Sequence, residues 1–248
     1  YGRHRKFPLS IYVRGFVKSR TLESKPQLFY RHRHTKNNHT HTFNMVNLML
    51  LSTRIDHCAT LSADPHVHKI ALEILQMIYN CHQGNNELIH PPYKVFNKRH
   101  PMSIFIRSCK SAYLFALHLC KRLLKNYSLR YKKQHKCYER VLELCSKPVP
   151  ADIPDVQADN FPEKENLYTM SETFNNKKQV LLATTDIPAG CKWFPLCLTD
   201  TDSVRMHDGK LSGVRSYRAY YQFKAKSPTF KKPFTRKQKP YNFTRLFR

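Results

Sequence analysis

Two clusters of bases and aromatic residues are the strongest candidates for a functional site in this sequence. They are Arg130-Tyr131-Lys132-Lys133 with His135 and Lys136, and Tyr217-Arg218 with Tyr220 and Tyr221. Arg forms forked hydrogen bonds with phosphate, Lys supplies a point charge, and Tyr offers a face on which a base can stack. A solvated helix face is the alternative for any single residue. Because few acids balance these clusters, a surface that binds a polyanion is favoured for the set as a whole.

The His, Cys and acidic residues give weaker signals. The residues that invite a zinc site are His57, Cys58, His66, His68, Cys81 and His82. His66 and His68 are two residues apart, whereas two ligands on one helix face need a spacing of four. None of the eight Cys forms a CxxC motif, so we expect no metal, no cofactor and no disulfide framework, and a reducing compartment is favoured. Carboxylates available to the core for acid–base chemistry reduce to Asp64, Glu73, Glu139 and Glu143.

The net charge of +26 on 248 residues calls for a polyanion or for counterions. Nucleic acid is favoured over an anionic membrane surface, because the most basic segments are rich in Pro, aromatic residues and His and lack a clean apolar helix face. Membrane insertion is not expected, since the apolar runs are much shorter than the ~20 residues that a bilayer requires. With only six Gly, the chain also lacks the glycine-rich phosphate-binding motifs GxGxxG and GxxxxGK[ST].

The bases concentrate at both ends of the chain. Residues 1–44, here called the N-terminal arm, carry ten Lys/Arg against Glu23 alone. Residues 205–248 carry thirteen Lys/Arg against Asp208 alone. Residues 230–248, here called the C-terminal tail, also interleave Phe and Tyr with these bases. The residues predicted to contact nucleic acid are Arg3, Arg5, Lys6, Arg14, Arg31, Arg33, Arg130, Tyr131, Lys133, Lys136, Tyr217, Arg218, Tyr221, Lys231, Lys232, Arg236, Lys237 and Arg245.

Hydrophobic periodicity between the arms predicts a mainly α fold. We expect a compact helical core over 45–229 with a short N-terminal strand, flanked by extended basic arms. The strand is expected at Met45–Leu51, and the first long helix runs through Cys81 with Asp64 as its N-cap and Pro65 at its first helical position. Further helices are predicted over Pro101–Tyr127, Lys132–Cys145 and Gly213–Gln222.

An acidic, proline-rich stretch interrupts this pattern. Residues 148–176 hold six acids against Lys164, which indicates a loop that lies against basic protein or faces away from the polyanion. Together with a possible short strand at Val180–Thr184, it forms a linker or insertion at about 148–190. Cys191 and Cys197 flank the sole tryptophan, and a loop packed through Trp193 and Phe194 is expected there.

Several motifs, taken in order, resemble a protein family of phages and large DNA viruses whose members are sometimes labelled pyrimidine-dimer DNA glycosylase-like. The stretch Asp64-Pro-His66-Val-His-Lys69 with Glu73, Gln76 and Met77 is similar to its D-x-H-V-x-K-(four)-E-x-x-Q-M helix. Further similar motifs are His100-Pro101 with Arg107 and Tyr113, Arg130-Tyr131-x-Lys133-x-His135-Lys136, Phe194-Pro195 with Asp200, Tyr217-Arg218-x-Tyr220-Tyr221 with Lys224, and Thr235-Arg236 with Pro240. The resemblance spans about 45–243, with an insertion near 171–190.

The departures from that family fall on acidic and amide positions. Its D-x-D after the first strand is Ser52 and Arg54 here, its R-E-S is Arg107-Ser108-Cys109, and Asn126 replaces the acid before the R-Y motif. Further differences are Phe105 for Trp, Ala112 for Asn, and Leu198-Thr199-Asp200 for Met-Pro-Asp. Base-excision chemistry needs a carboxylate or similar group to move protons. The resemblance therefore implies an enzyme-derived domain whose ancestral activity has decayed.

Three functions follow as hypotheses. The first is a structural, RNA-favouring subunit of a large ribonucleoprotein with neighbouring proteins, and the Arg-rich, acid-poor N-terminal arm favours a mitochondrial ribosome-type particle. The second is a DNA-repair glycosylase or base-modifying enzyme whose pocket surrounds a flipped base. Its catalytic residues would be Asp64, His66, Lys69, Arg107 and His135, with Arg130, Tyr217 and Arg218 also lining the pocket. The third is a virion or capsid protein that neutralises packaged DNA. The expected location is the mitochondrion, and otherwise the cell interior or a virion.

Overall fold

A computed structural model of the chain describes residues 48–82, 96–162, 180–198 and 200–226. Contacts divide the chain into two units, 1–42 and 43–248, and every described residue belongs to the second. The predictions made for the N-terminal arm and the C-terminal tail lie outside the described residues. So do those for residues 45–47 of the expected strand and for 163–176 of the acidic stretch.

The described part of the chain is mainly helical, as predicted. Its helices are α1 (Ile55–Leu61), α2 (Asp64–Cys81), α3 (Pro101–Ile106), α4 (Lys110–Tyr131), α5 (Tyr138–Ser146) and α6 (Gly213–Lys226), with one 3₁₀ turn at Thr201–Ser203. Four two-residue strands form two antiparallel pairs. They are β1 (Leu182–Ala183) with β2 (Phe194–Pro195), and β3 (Met206–His207) with β4 (Lys210–Leu211).

Helix α2 is the centre of the core, and its bounds confirm the predicted helix through Cys81. It buries apolar side chains at helical spacing, including Val67, Ile70, Ile74 and Ile78, and it packs most extensively against α4. The prediction of Asp64 as N-cap was wrong by one residue. Ala63 occupies the cap position, so Asp64 is the first helical residue and Pro65 is the second.

The helix predicted over Pro101–Tyr127 is two helices, because a tertiary contact interrupts it. Cys109 is fully extended at the break, with φ −166° and ψ 164°, and its sulfur accepts a hydrogen bond from the Ala112 amide. The Lys110 amide instead donates to the Pro154 carbonyl at 2.8 Å. The loop at 147–162 therefore supplies the partner that starts α4.

The predicted start of the next helix at Lys132 was also wrong. Lys132 adopts a left-handed conformation with φ 55°, and its amide donates to the Ser128 carbonyl at 2.9 Å. This conformation ends α4, and residues 133–137 connect it to α5, which begins at Tyr138. Helix α6 begins at Gly213 as predicted and extends four residues further than expected.

The described part of the expected N-terminal strand, Leu48–Leu51, is buried but belongs to no sheet. Helix α6, and not a second strand, packs against this segment. A β-carbon at Gly213 would lie 2.8 Å from a Leu50 methyl group, so a side chain there would force the helix start away from this segment. In addition, Arg218 Nε donates to the Leu51 carbonyl at 2.9 Å.

The loop at 147–162 is irregular, as predicted, and packs firmly on the core. Gln157, which is 1% exposed, accepts hydrogen bonds from the Lys192 amide at 2.6 Å and the Trp193 amide at 3.1 Å. Its amide nitrogen donates to Ser108 at 2.8 Å. Two of its acids face bases, since Asp155 and Asp159 approach Lys110 and Lys192. The prediction of a loop packed through Trp193 and Phe194 is confirmed, because both are buried against Phe105.

Candidate nucleic-acid interface

The acid at the start of α2 is held in a buried ion pair. Arg130 Nη1 donates to Asp64 Oδ1 at 3.0 Å, and each side chain is 7% exposed. The same guanidinium donates to the carbonyls of Ser62 at 2.7 Å and Thr60 at 3.0 Å. Asp64 and Arg130 therefore fasten the α1–α2 junction to the end of α4, and both are turned away from solvent.

His66 lies one half-turn further along α2 and is bonded to α6. Its Nδ1 shares a hydrogen bond with the Tyr221 hydroxyl. Desolvation lowers the pKa of the His66 imidazole, and the positive charges of Lys224 and Lys69 lower it further. The neutral form of the imidazole is therefore favoured near pH 7.

Lys69 and Glu73 form an ion pair along α2, with Lys69 Nζ 3.5 Å from Glu73 Oε1. Lys69 remains 44% exposed, whereas the Glu73 side chain is 11% exposed. Desolvation raises the pKa of Glu73 to about 7, although Lys69 acts to lower it. A mostly buried carboxyl with a raised pKa, paired with a half-exposed lysine on the same helix, has properties of a proton-transfer group.

We expect Glu73→Gln to change how stability depends on pH. The unfolded chain releases the Glu73 proton above its ordinary pKa of 4.5, while the fold retains it until about pH 7. Stability therefore decreases as the pH rises through this range. At pH 8 the variant should gain on the order of 2 kcal/mol relative to the wild type, compared with pH 5. Urea unfolding at the two pH values measures this, and an equal difference at both would contradict it.

His135 belongs to a cluster of rings between the end of α4 and α2. Its ring lies 5.0 Å from that of His68 and 4.8 Å from that of Tyr127, and its Nδ1 accepts from the Cys137 amide at 3.1 Å. Desolvation lowers the pKa of His135, with smaller contributions from His68 and Lys133. Tyr131 continues the cluster, with its ring 4.6 Å from that of Tyr127.

Arg107 is far from the other predicted catalytic residues. It lines a separate groove of about 460 Å³ together with Asn80, Cys81, Lys98, Arg99, Asp152 and Ile153, and its Nη1 donates to the Lys98 carbonyl at 2.5 Å. Cys81 ends α2 and Asp64 begins it, so the two ends are about 25 Å apart at 1.5 Å per residue. Asp64, His66 and Lys69 all lie in the first two turns of α2, but Asp64 is bonded to α4, His66 to α6, and Lys69 pairs with Glu73 on α2 itself. Arg107 lies at the opposite end of the helix, so the described residues do not form the single pocket that was predicted.

Three residues predicted to contact nucleic acid are buried, which corrects that part of the prediction. Arg130 forms an ion pair with Asp64, and the Tyr221 hydroxyl shares a hydrogen bond with His66. Tyr217 is completely buried; its hydroxyl accepts from the Cys197 amide at 3.2 Å and donates to the Pro195 carbonyl at 3.3 Å. Tyr217 and Tyr221 pack α6 against the core, so their spacing along the helix is explained by core packing. Lys133, Lys136 and Arg218 are exposed.

The described surface also contains a basic groove that sequence reasoning missed, here called the α4 groove. It has a volume of about 620 Å³. Its lining residues are Arg54, His118, Lys121, Arg122 and Lys125, with Ile55, Asp56 and Tyr138. Four of these residues occupy positions 118, 121, 122 and 125 of α4, a spacing that places them on one helix face. This spacing could have indicated the groove from the sequence. Because α1 was not predicted, the spacing alone indicated only a solvated helix face.

The single acid among the described residues of the α4 groove is already paired. Asp56 accepts a hydrogen bond from Arg122 Nε, and this bond is the main cause that lowers the pKa of Asp56. The carboxylate is therefore ionised and cancels one cation. Arg54, Lys121 and Lys125 remain, so the groove as a whole is positive.

Metal and thiol chemistry find little support in the described part of the chain. No group of three or more His, Cys, Asp or Glu residues there is arranged to hold a metal ion. All eight Cys are free. Burial raises the pKa of the Cys58 thiol to about 11, and it also raises the pKa values of Cys81, Cys120 and Cys197. These thiols therefore stay protonated and poorly nucleophilic.

The described part of the chain is a helical protein with a buried Asp64–Arg130 ion pair at the start of α2 and with the basic α4 groove on its surface. No protein-family model, curated protein or solved structure matches the chain. The resemblance to the glycosylase-like family therefore stays a prediction. Among the described helices, none has the length and apolar character needed to cross a membrane.

Proposed function

We propose that this chain is a structural, RNA-binding subunit of a large ribonucleoprotein, and that the particle is of mitochondrial ribosome type. The observation that carries the proposal is the buried pair of Asp64 and Arg130, each 7% exposed. A base-excision enzyme needs a carboxylate within reach of its substrate. Here the acid of the enzyme-like motif instead joins α2 to α4, and so supports the architecture.

The charge distribution supports the same proposal. The net charge is +26, and the predicted phosphate contacts concentrate in the N-terminal arm and the C-terminal tail. Exposed Lys133 and Lys136 and the α4 groove add basic surface on the core. Counterion release on contact with phosphates makes such a surface bind nucleic acid strongly and with a steep salt dependence.

Gradient fractionation of a native lysate tests this proposal. We expect the chain to migrate with a large particle, and we expect that particle to collapse after ribonuclease treatment and to persist after deoxyribonuclease treatment. Purified mitochondria, fractionated in the same way, test the proposed compartment. Migration as a free ~30 kDa species would contradict the proposal, since a structural subunit needs its particle.

A base-excision or base-modifying enzyme is the second candidate, and Glu73 favours it. Its raised pKa and its ion pair with half-exposed Lys69 are properties found in catalytic carboxylates. Base release or strand scission on damaged duplex DNA, abolished by Lys69→Ala, would establish the enzyme and overturn the structural proposal. Lys69 is the informative position because it is partly exposed, whereas a variant at Asp64 disturbs the fold.

A further inference from the structure

We infer that the α4 groove binds one strand of RNA, with phosphates on Lys121, Lys125 and Arg54 and a base against Tyr138. This inference rests on the proposed function and names the part of the core that contacts RNA. None of these residues belongs to the motifs or clusters that first indicated nucleic-acid binding.

The charges in the groove favour an anionic strand. In the described part of the chain, neither Lys121 nor Lys125 forms an ion pair, and both are exposed. Arg122 is bonded to Asp56, so the groove holds one neutralised pair and several uncompensated cations. Such a concentration of like charge is unfavourable until an anion enters it.

The shape of the groove favours a single strand over a duplex. Its volume of about 620 Å³ is within the range of sites that bind small molecules, whereas duplex RNA is recognised over a much longer surface. Positions 118–125 of α4 extend over about 10 Å at 1.5 Å per residue, which provides a short track for a backbone. Tyr138, the first residue of α5, is half-buried and lines the same groove, and aromatic side chains beside a basic track are typical of single-strand binding.

Salt-dependent binding of a short fluorescent oligouridine to the full chain tests the inference. The groove variant is Lys121→Ala/Lys125→Ala. The matched control, Lys147→Ala/Lys210→Ala, removes the same charge from two exposed lysines that do not line the groove. Between about 50 and 200 mM salt, we expect the groove variant to weaken binding. We also expect it to reduce the slope of log K against log salt by about 1.4, or about 0.7 for each lost phosphate contact. The control should keep the wild-type slope.

Tyr138→Leu supplies a second measurement, because it keeps an apolar side chain on the core and removes the aromatic face. We expect it to weaken binding about tenfold while leaving the salt slope unchanged. Two results would contradict RNA binding in the groove. The first is unchanged affinity and salt slope in both the groove variant and Tyr138→Leu. The second is an equal change of slope in the groove variant and the control. RNA would then bind elsewhere, and the proposed function would stand. A wild-type chain that does not bind RNA would overturn both, and binding of an acidic peptide in place of RNA would assign the groove to a protein neighbour.

Discussion

Replacing Asp64 with Ala is expected to lower the free energy of unfolding of the full chain by about 3–5 kcal/mol. The substitution leaves the Arg130 guanidinium buried without its counter-charge, although the carbonyls of Thr60 and Ser62 still accept from it. Taking a charge out of water costs several kcal/mol unless a partner compensates it. Urea unfolding followed by circular dichroism measures the loss.

Two further variants show whether the loss comes from the unpaired charge. Asp56→Ala removes an acid from an exposed pair with Arg122, and we expect only a small fraction of the Asp64 effect because solvent screens that pair. The double variant Asp64→Ala/Arg130→Met removes both charges and should recover much of the stability. A loss below about 1 kcal/mol for Asp64→Ala would contradict the structural role of this pair.

Replacing Trp193 with Ala is expected to cost about 3–5 kcal/mol. The side chain is 2% exposed and meets the rings of Phe161 and Phe105 edge-on, with centroid distances of 5.0 and 6.0 Å. Its indole N–H donates to the Ala158 carbonyl at 2.9 Å. The substitution therefore opens a cavity and weakens the packing of the 147–162 loop against the β1–β2 hairpin, although Gln157 still bonds the backbone at positions 192 and 193.

The control for this prediction is Val156→Ala, which shortens an apolar side chain in the same loop that is 66% exposed. Surface substitutions of this kind change stability by about 0.5 kcal/mol or less. Thermal unfolding followed by circular dichroism compares the two variants. Equal midpoints for Trp193→Ala and Val156→Ala would show that the loop does not depend on Trp193 for its attachment.

The positions of helices could be predicted from the apolar periodicity of the sequence where the folded core buries the same apolar residues. The apolar period from Val67 to Cys81 is a property of the sequence, and α2 buries those positions. The break before α4 could not be predicted in this way, because the group that bonds the Lys110 amide is the Pro154 carbonyl. That carbonyl is distant in sequence, and only the folded chain brings it to the helix start.

The same contrast between local pattern and tertiary contact applies to the residues of the candidate site. The resemblance grouped Asp64, His66 and Lys69 in one pocket, whereas the structure directs Asp64 to Arg130 of α4 and His66 to Tyr221 of α6. Spacing also suggested that Tyr217 and Tyr221 face nucleic acid, but both are buried. A Tyr can stack on a base or pack in a core, and the residue type does not distinguish the two. The position of the neighbouring helix decides between them.

The sequence by itself determined the helical class, the position of α2 and the strongly basic character, because periodicity and net charge are local or additive properties. Tertiary structure decided which polar residues remain available. It placed Arg130 against Asp64 across 66 residues of chain, moved Arg107 to the far end of α2, and joined α1 to the basic face of α4. These outcomes depend on contacts between distant segments, and such contacts form only when the elements pack.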